Sequence, residues 1–71
     1  MANYIVNRRP DGRGFHEVHN LDAAQVCLPN AESRIALGVH YSCQSAVESA
    51  KASGYTPADG CYYCANACHA G

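Results

Sequence analysis

Five of the 71 residues are cysteine and four are histidine. Chains this short bury only about 60% of the surface they expose when unfolded, and many need a metal ion, disulfides or a partner chain to hold together. The length allows one small domain, spanning residues 1–71, and leaves no room for a nucleotide-binding α/β fold, a large substrate cleft or a multi-domain enzyme. Three of the five cysteines sit in the final run Cys61-Tyr62-Tyr63-Cys64-Ala65-Asn66-Ala67-Cys68-His69-Ala70-Gly71. An odd number of thiols cannot all pair within one chain.

Charge and hydropathy narrow the partners. Six acidic residues against five Lys and Arg give a net charge of −1, so no global positive field holds a polyanion. Arg8, Arg9 and Arg13 gather around the first turn. They read as a solvated turn, or as a weak contact to nucleic-acid phosphate or an acidic partner, since no aromatics interleave them. No stretch approaches the roughly 20 apolar residues that span a bilayer. At the N-terminus the charges follow a short apolar run, the reverse of a secretory signal, so a cytoplasmic location is expected. In a reducing compartment, clustered thiols favour metal ligation over disulfides.

The pattern along the chain predicts an α+β fold: a small three-stranded antiparallel sheet, one helix across it and a Cys-rich C-terminal zinc knuckle. Residues 3–7 are β-branched and aromatic and read as a strand. Arg9-Pro10-Asp11-Gly12-Arg13-Gly14 forms a turn, and residues 15–21 return as the second strand of a hairpin. Strand alternation puts His16 and His19 on opposite faces, so both reach one site only if the strand bends. Residues 22–33 read as a loop with room for one helical turn. Residues 34–41 form the third strand, with Ile35, Leu37 and Val39 directed at the core. Residues 42–53 form the helix: Ser42 suits the N-cap, Ser45 with Glu48 offers a second cap, Gly54 suits the position past the C-cap, and Ala46, Val47 and Ala50 make the apolar stripe. Residues 55–60 read as a turn.

Cys61-x-x-Cys64 is the strongest chemical signal. Two thiolates at this spacing on a turn grip one ion without strain. A redox role for the same motif requires a longer βαβ framework than this chain supplies. Tetrahedral zinc needs four nitrogen or sulfur ligands, and two sets compete, with a metal-free chain as the third reading. The long-range set is His19, Cys27, Cys61 and Cys64, which closes a long loop and ties both ends of a small core; it is the favoured reading. The local set is Cys61, Cys64 and Cys68 with His69 or His19, although adjacent Cys68 and His69 diverge. His16 reads as an exposed strand histidine, or as the ligand in place of His19. Cys43, at the helix start, reads as a small buried hydrophobe or as a thiol activated by the helix N-terminus. Cys68 is a fourth ligand, a disulfide partner of Cys43 or Cys27, or an idle thiol. His40 reads as a core-edge residue, and Tyr62 and Tyr63 as packing around the site.

Taken in order, His19, Cys27, the strand Ile35-Ala36-Leu37, the helix with Ala46, Val47 and Ala50, then Gly54-Tyr55 and Cys61-x-x-Cys64 resemble the small zinc-binding module of the Ada type. In that family a hairpin and loop supply two ligands, and a helix followed by Gly-Tyr and C-x-x-C supplies two more. The resemblance covers roughly residues 15–64 and implies Zn²⁺ on His19, Cys27, Cys61 and Cys64. The chain is also similar to small bacterial and phage Cys-His proteins through His16-Glu17-Val18-His19, Leu28-Pro29, Leu37-Gly38, Ser42-Cys43, Asp59-Gly60-Cys61-Tyr62-Tyr63-Cys64 and Cys68-His69.

The function expected from these readings is a non-enzymatic, zinc-stabilised interaction module that binds another protein. Alternatives are a bacterial or phage inhibitor of a host defence or nucleic-acid-processing complex, a secreted disulfide miniprotein, and a thiol-reactive Ada-like acceptor. The acceptor would use Cys64 or Cys43 as nucleophile with His69 or His40 as base.

Overall fold

Tyr4, Ile5 and Val6 are consecutive and all buried. Neighbouring strand residues point to opposite faces, so the sheet is covered on both sides. The computed structural model describes residues 1–23 and 26–70. Ala24 and Gln25, in the loop read over 22–33, and Gly71, which ends the tail, lie outside the described residues. The strands are β1 (Ala2–Asn7), β2 (His16–Asn20), β3 (Arg34–His40) and β4 (Ala58–Gly60), with the helix α1 (Cys43–Ala52) and 3-10 turns at Ala31–Ser33 and Asn66–Cys68.

The sheet order is β3-β1-β2-β4. β1 is antiparallel to β2 and β3, while β4 runs parallel to β2. The three-stranded antiparallel expectation is therefore corrected to a four-stranded mixed sheet. The missed strand is Ala58-Asp59-Gly60, read above as part of a turn. It contains no β-branched or aromatic residue, so local propensity gives no sign of it. Pairing with β2 in the register His16 to Ala58, Glu17 to Asp59 and Val18 to Gly60 makes it a strand.

One face packs on α1. Tyr4, Val6 and Val18 meet Ala46 and Ala50 there, with Ala2, Ile35, Leu37, Val47, Tyr55 and Ala58 around them. The small helix residues let the backbone lie close. The Ser42 side chain caps α1 by accepting from the Ser45 amide. Gly54, at φ +95°, ends it: the Tyr55 amide donates to Ala50 O and the Gly54 amide to Lys51 O, which satisfies two of the last carbonyls.

Val39 departs from the expected core. The register of β1 with β3 shifts between Tyr4 and Ile5, so Tyr4 lies opposite Gly38, Ile5 lies opposite Ala36 and Leu37 is the extra residue. Gly38, at φ +82°, supplies the backbone that the bulge requires. Val39 then sits beside Asn3 and is 57% exposed. His40 turns to the α1 face, edge-on to Tyr4 at 6.1 Å.

β4 is held by charge. The buried Asp59 carboxylate accepts from Arg13 Nη2 at 2.8 Å and from the Ala70 amide at 2.8 Å. His69 Nδ1 lies 3.2 Å away. Burial alone would raise the Asp59 carboxyl, but Arg13, the Ala70 amide and His69 hold it below the ordinary carboxylate range. Arg13 stays solvated, as read from the sequence, with its side chain 40% exposed, yet it also spans Asp11 and Asp59 and lies over the Phe15 ring at 4.8 Å. A depressed carboxyl stabilises the fold above its unfolded value of about 3.9 and loses that contribution as pH falls through the folded value. Arg13→Ala is expected to melt earlier than the parent at neutral pH, with the gap closing below about pH 4. A gap independent of pH in thermal melts would rule out the ionic origin.

Gly60 serves close approach. A Cβ there would lie 2.5 Å from Ala65 O and 2.7 Å from the Cys68 Cβ. Gly60→Ala must lift the tail off β4 and is expected to destabilise the fold by about 1–3 kcal/mol, measured by chemical denaturation.

Candidate metal centre

The second face of the sheet carries the chemistry. His19 pairs with Ile5 and by strand period points away from Val18 and the helix. It is 1% exposed. The Cys61 amide donates to Val18 O at 2.9 Å, continuing the parallel β2–β4 ladder by one residue. That register sets Cys61 beside His19. The knuckle then folds back, with the Ala65 amide on Cys61 O at 2.9 Å, and carries Cys64 to the same spot. Cys27 comes from the segment before the 3-10 turn Ala31–Ser33, where Arg34 Nε donates to Pro29 O at 2.9 Å.

One ligand atom each from His19, Cys27, Cys61 and Cys64 lies within 4.8 Å of the others. Three of these residues are buried and Cys27 is half-buried. Tetrahedral zinc, with Zn–S near 2.3 Å and Zn–N near 2.0–2.1 Å, sets its ligand atoms roughly 3.5–3.8 Å apart. The Cys64 Sγ to His19 Nδ1 distance is 3.5 Å. Four soft or borderline donors with no carboxylate among them suit zinc over magnesium or calcium.

The surroundings fit an ion. Burial foremost, together with the Cys27 and Cys61 thiols alongside, pushes the Cys64 thiol up to about 12, opposed by the Asn20 amide. A cation beside the Cys64 sulfur would favour its thiolate and oppose that rise. Backbone donors are already in place: the Asn20 amide lies 3.3 Å from Cys64 Sγ and the Tyr63 amide 3.4 Å from Cys61 Sγ. Burial, then the Arg34 charge, lowers His19, which keeps its ring in the neutral, ligating form. Its Nε2 faces Glu17 Oε1 at 3.7 Å, beyond hydrogen-bond length, so a carboxylate stands behind the imidazole where a small shift would make it an orienting partner.

The other candidates lie elsewhere. His16 stands on the α1 face, donating through Nδ1 to Asn7 O at 2.9 Å and meeting Tyr55 edge-on. Cys43 and Cys68 are joined in a disulfide with a Cα–Cα distance of 6.2 Å, so Cys68 is not a ligand. His69 is engaged with Gly60 O and Asp59, and His40 with Leu37 O and Ser45 Oγ. Neither is poised as a base on a thiol. Glu17 was not singled out by sequence, although its position two residues before His19 places it on the same strand face. Tyr62 and Tyr63 do not pack around the site: they are 58% and 79% exposed.

Comparison of the chain with protein-family models, with curated proteins and with solved structures finds no match. Any metal bound here should feel Glu17 through His19. Glu17→Gln is expected to weaken binding of Zn²⁺ by about tenfold or more in a competition titration, while the surface control Glu48→Gln leaves it unchanged.

Proposed function

We propose that His19, Cys27, Cys61 and Cys64 hold one Zn²⁺ as a structural centre, in a non-enzymatic module that acts by binding another protein. The convergence of these four donor atoms carries the reading. All four positions are supplied by the protein, which is the pattern of a structural rather than a catalytic zinc site. The ion would bind the loop bearing Cys27, the strand bearing His19 and the knuckle into one layer over the second face of the sheet.

Support for a protein partner comes from the knuckle surface. Tyr62 and Tyr63 project between two ligands and contact edge-on at 5.1 Å, and Tyr62 also abuts His69 at 5.5 Å. Rigid, exposed aromatics on a fixed turn are the kind of anchor that buries well in a partner pocket. Arg8 and Arg9 are exposed, but with Arg13 committed to Asp11 and Asp59 the basic patch is too small to favour nucleic acid. A cytoplasmic setting, where thiols stay reduced, suits three thiolate ligands.

Native mass spectrometry and thermal melts with and without a strong chelator test the centre. One Zn²⁺ per chain is expected, with proton release on binding because the thiols must deprotonate. Affinity should fall as pH falls, and the melting temperature should drop on chelation. A metal-free chain that melts unchanged in chelator would refute the reading. Tyr62→Ala with Tyr63→Ala should keep metal and melting temperature yet lose any partner held by the parent.

A further inference from the structure

We infer that the Cys43–Cys68 pair is a thiol–disulfide exchange site whose reaction partner is a low-molecular-weight thiol. The pair is separate from the metal centre. Cys43 and Cys68 face the α1 side of the sheet edge, whereas Cys61 and Cys64 lie with His19 on the other face. Both members of the pair are only half-buried. Both line an open cavity of about 430 Å³ whose wall includes Val47, Ala58 and Ala67, with the charge of Lys51 set against those of Glu48 and Asp59, the last of these already paired with Arg13. That volume lies within the range of small-molecule sites, and it opens to solvent beside both cysteines. A disulfide acting only as a staple needs no such access.

The helix sets the direction of attack. Cys43 is the first residue of α1, directly after the N-cap Ser42, and the first turn carries no acidic side chain. The positive end of the helix is uncompensated and favours negative charge on the Cys43 sulfur. An incoming thiolate therefore attacks Cys68 Sγ. A bond forms between its sulfur and Cys68, the Cys43–Cys68 bond breaks, and the electron pair leaves on Cys43. A second thiolate then attacks the small thiol's own sulfur in this mixed disulfide and expels Cys68 as thiolate. The two small thiols give two electrons and end as their disulfide, and both cysteines take up protons as the medium dictates. The reverse sequence oxidises the pair. In a compartment that keeps thiols reduced, disulfides are usually of this exchanging kind.

Glutathione is the probe. The zinc-loaded full chain is placed in glutathione buffers at neutral pH, quenched with acid, alkylated and mapped by peptide mass spectrometry, with metal content read on parallel samples. Reduced glutathione is expected to open the pair within minutes, and the mixed disulfide should map to Cys68. Gln44→Glu adds a carboxylate to the first turn of α1, a change that supports the helix, and should slow opening about two- to fivefold. Gln44→Lys should not slow it. A pair that stays closed in glutathione but opens in denaturant, an adduct on Cys43, or equal rates for parent and Gln44→Glu would each overturn the proposal. Loss of metal with exchange intact would overturn the zinc centre instead, so the two failures are distinguishable.

Discussion

The constraint on which this structure turns is that one helix covers only one side of a sheet. α1 seals the face built from Tyr4, Val6 and Val18. The opposite face bears Ile5 and His19, both nearly inaccessible, with no second helix among the described residues to lie over them. A larger protein would spread apolar side chains there. This chain instead brings Cys27, Cys61 and Cys64 over the imidazole of His19. A cluster of four donors covers less area than a helix, so a bound ion would supply cohesion through bonds rather than through area. Burial pushes the Cys64 thiol up, and a divalent cation held by the four donors would turn that costly arrangement into a stabilising one.

The C-terminal third shows the same economy. β4 is too short and too poor in β-forming side chains to persist alone. It is fixed from three directions: by ladder bonds to β2, by Arg13 on the buried Asp59 carboxylate, and by a tail that returns across Gly60 to reach Cys43 through Cys68. Since β4 delivers Cys61 to the metal centre, the geometry of the site depends on this bracing. Arg13 and Gly60 touch no ligand atom, yet they set where the knuckle begins.

Parts of this were legible because their causes are local. The helix announces itself through Ser42 at its start, Gly54 past its end and small apolar residues between. The opposition of His16 and His19 follows from strand period alone. The grouping of His19, Cys27, Cys61 and Cys64 was accessible because C-x-x-C fixes two donors, and a tetrahedral ion then asks for two more from a distance. What could not be read were features created by neighbours. The β4 strand exists only through its partner. The outward turn of Val39 depends on a bulge whose trace in the sequence is a single glycine, Gly38. The role of Arg13 required knowing that Asp59, 46 residues away, lies beneath it.

The division of five cysteines into two sets also follows from the sheet. Sulfur chemistry by itself does not prevent Cys68 from attacking a disulfide or displacing a ligand four residues away at Cys64. The register separates their starting points: residues 60 and 61 point to opposite faces, so Cys61 joins His19 on the second face, while the tail passes Gly60 on the α1 side before His69 and Ala70 reach Asp59. Detaching β4 from β2 would remove that separation, break the ladder and uncover Asp59. The strand that sequence propensity least supports thus sets apart a disulfide and a group of donors placed to hold one metal ion. Its integrity, more than the identity of any one thiol, decides whether the two chemistries remain apart.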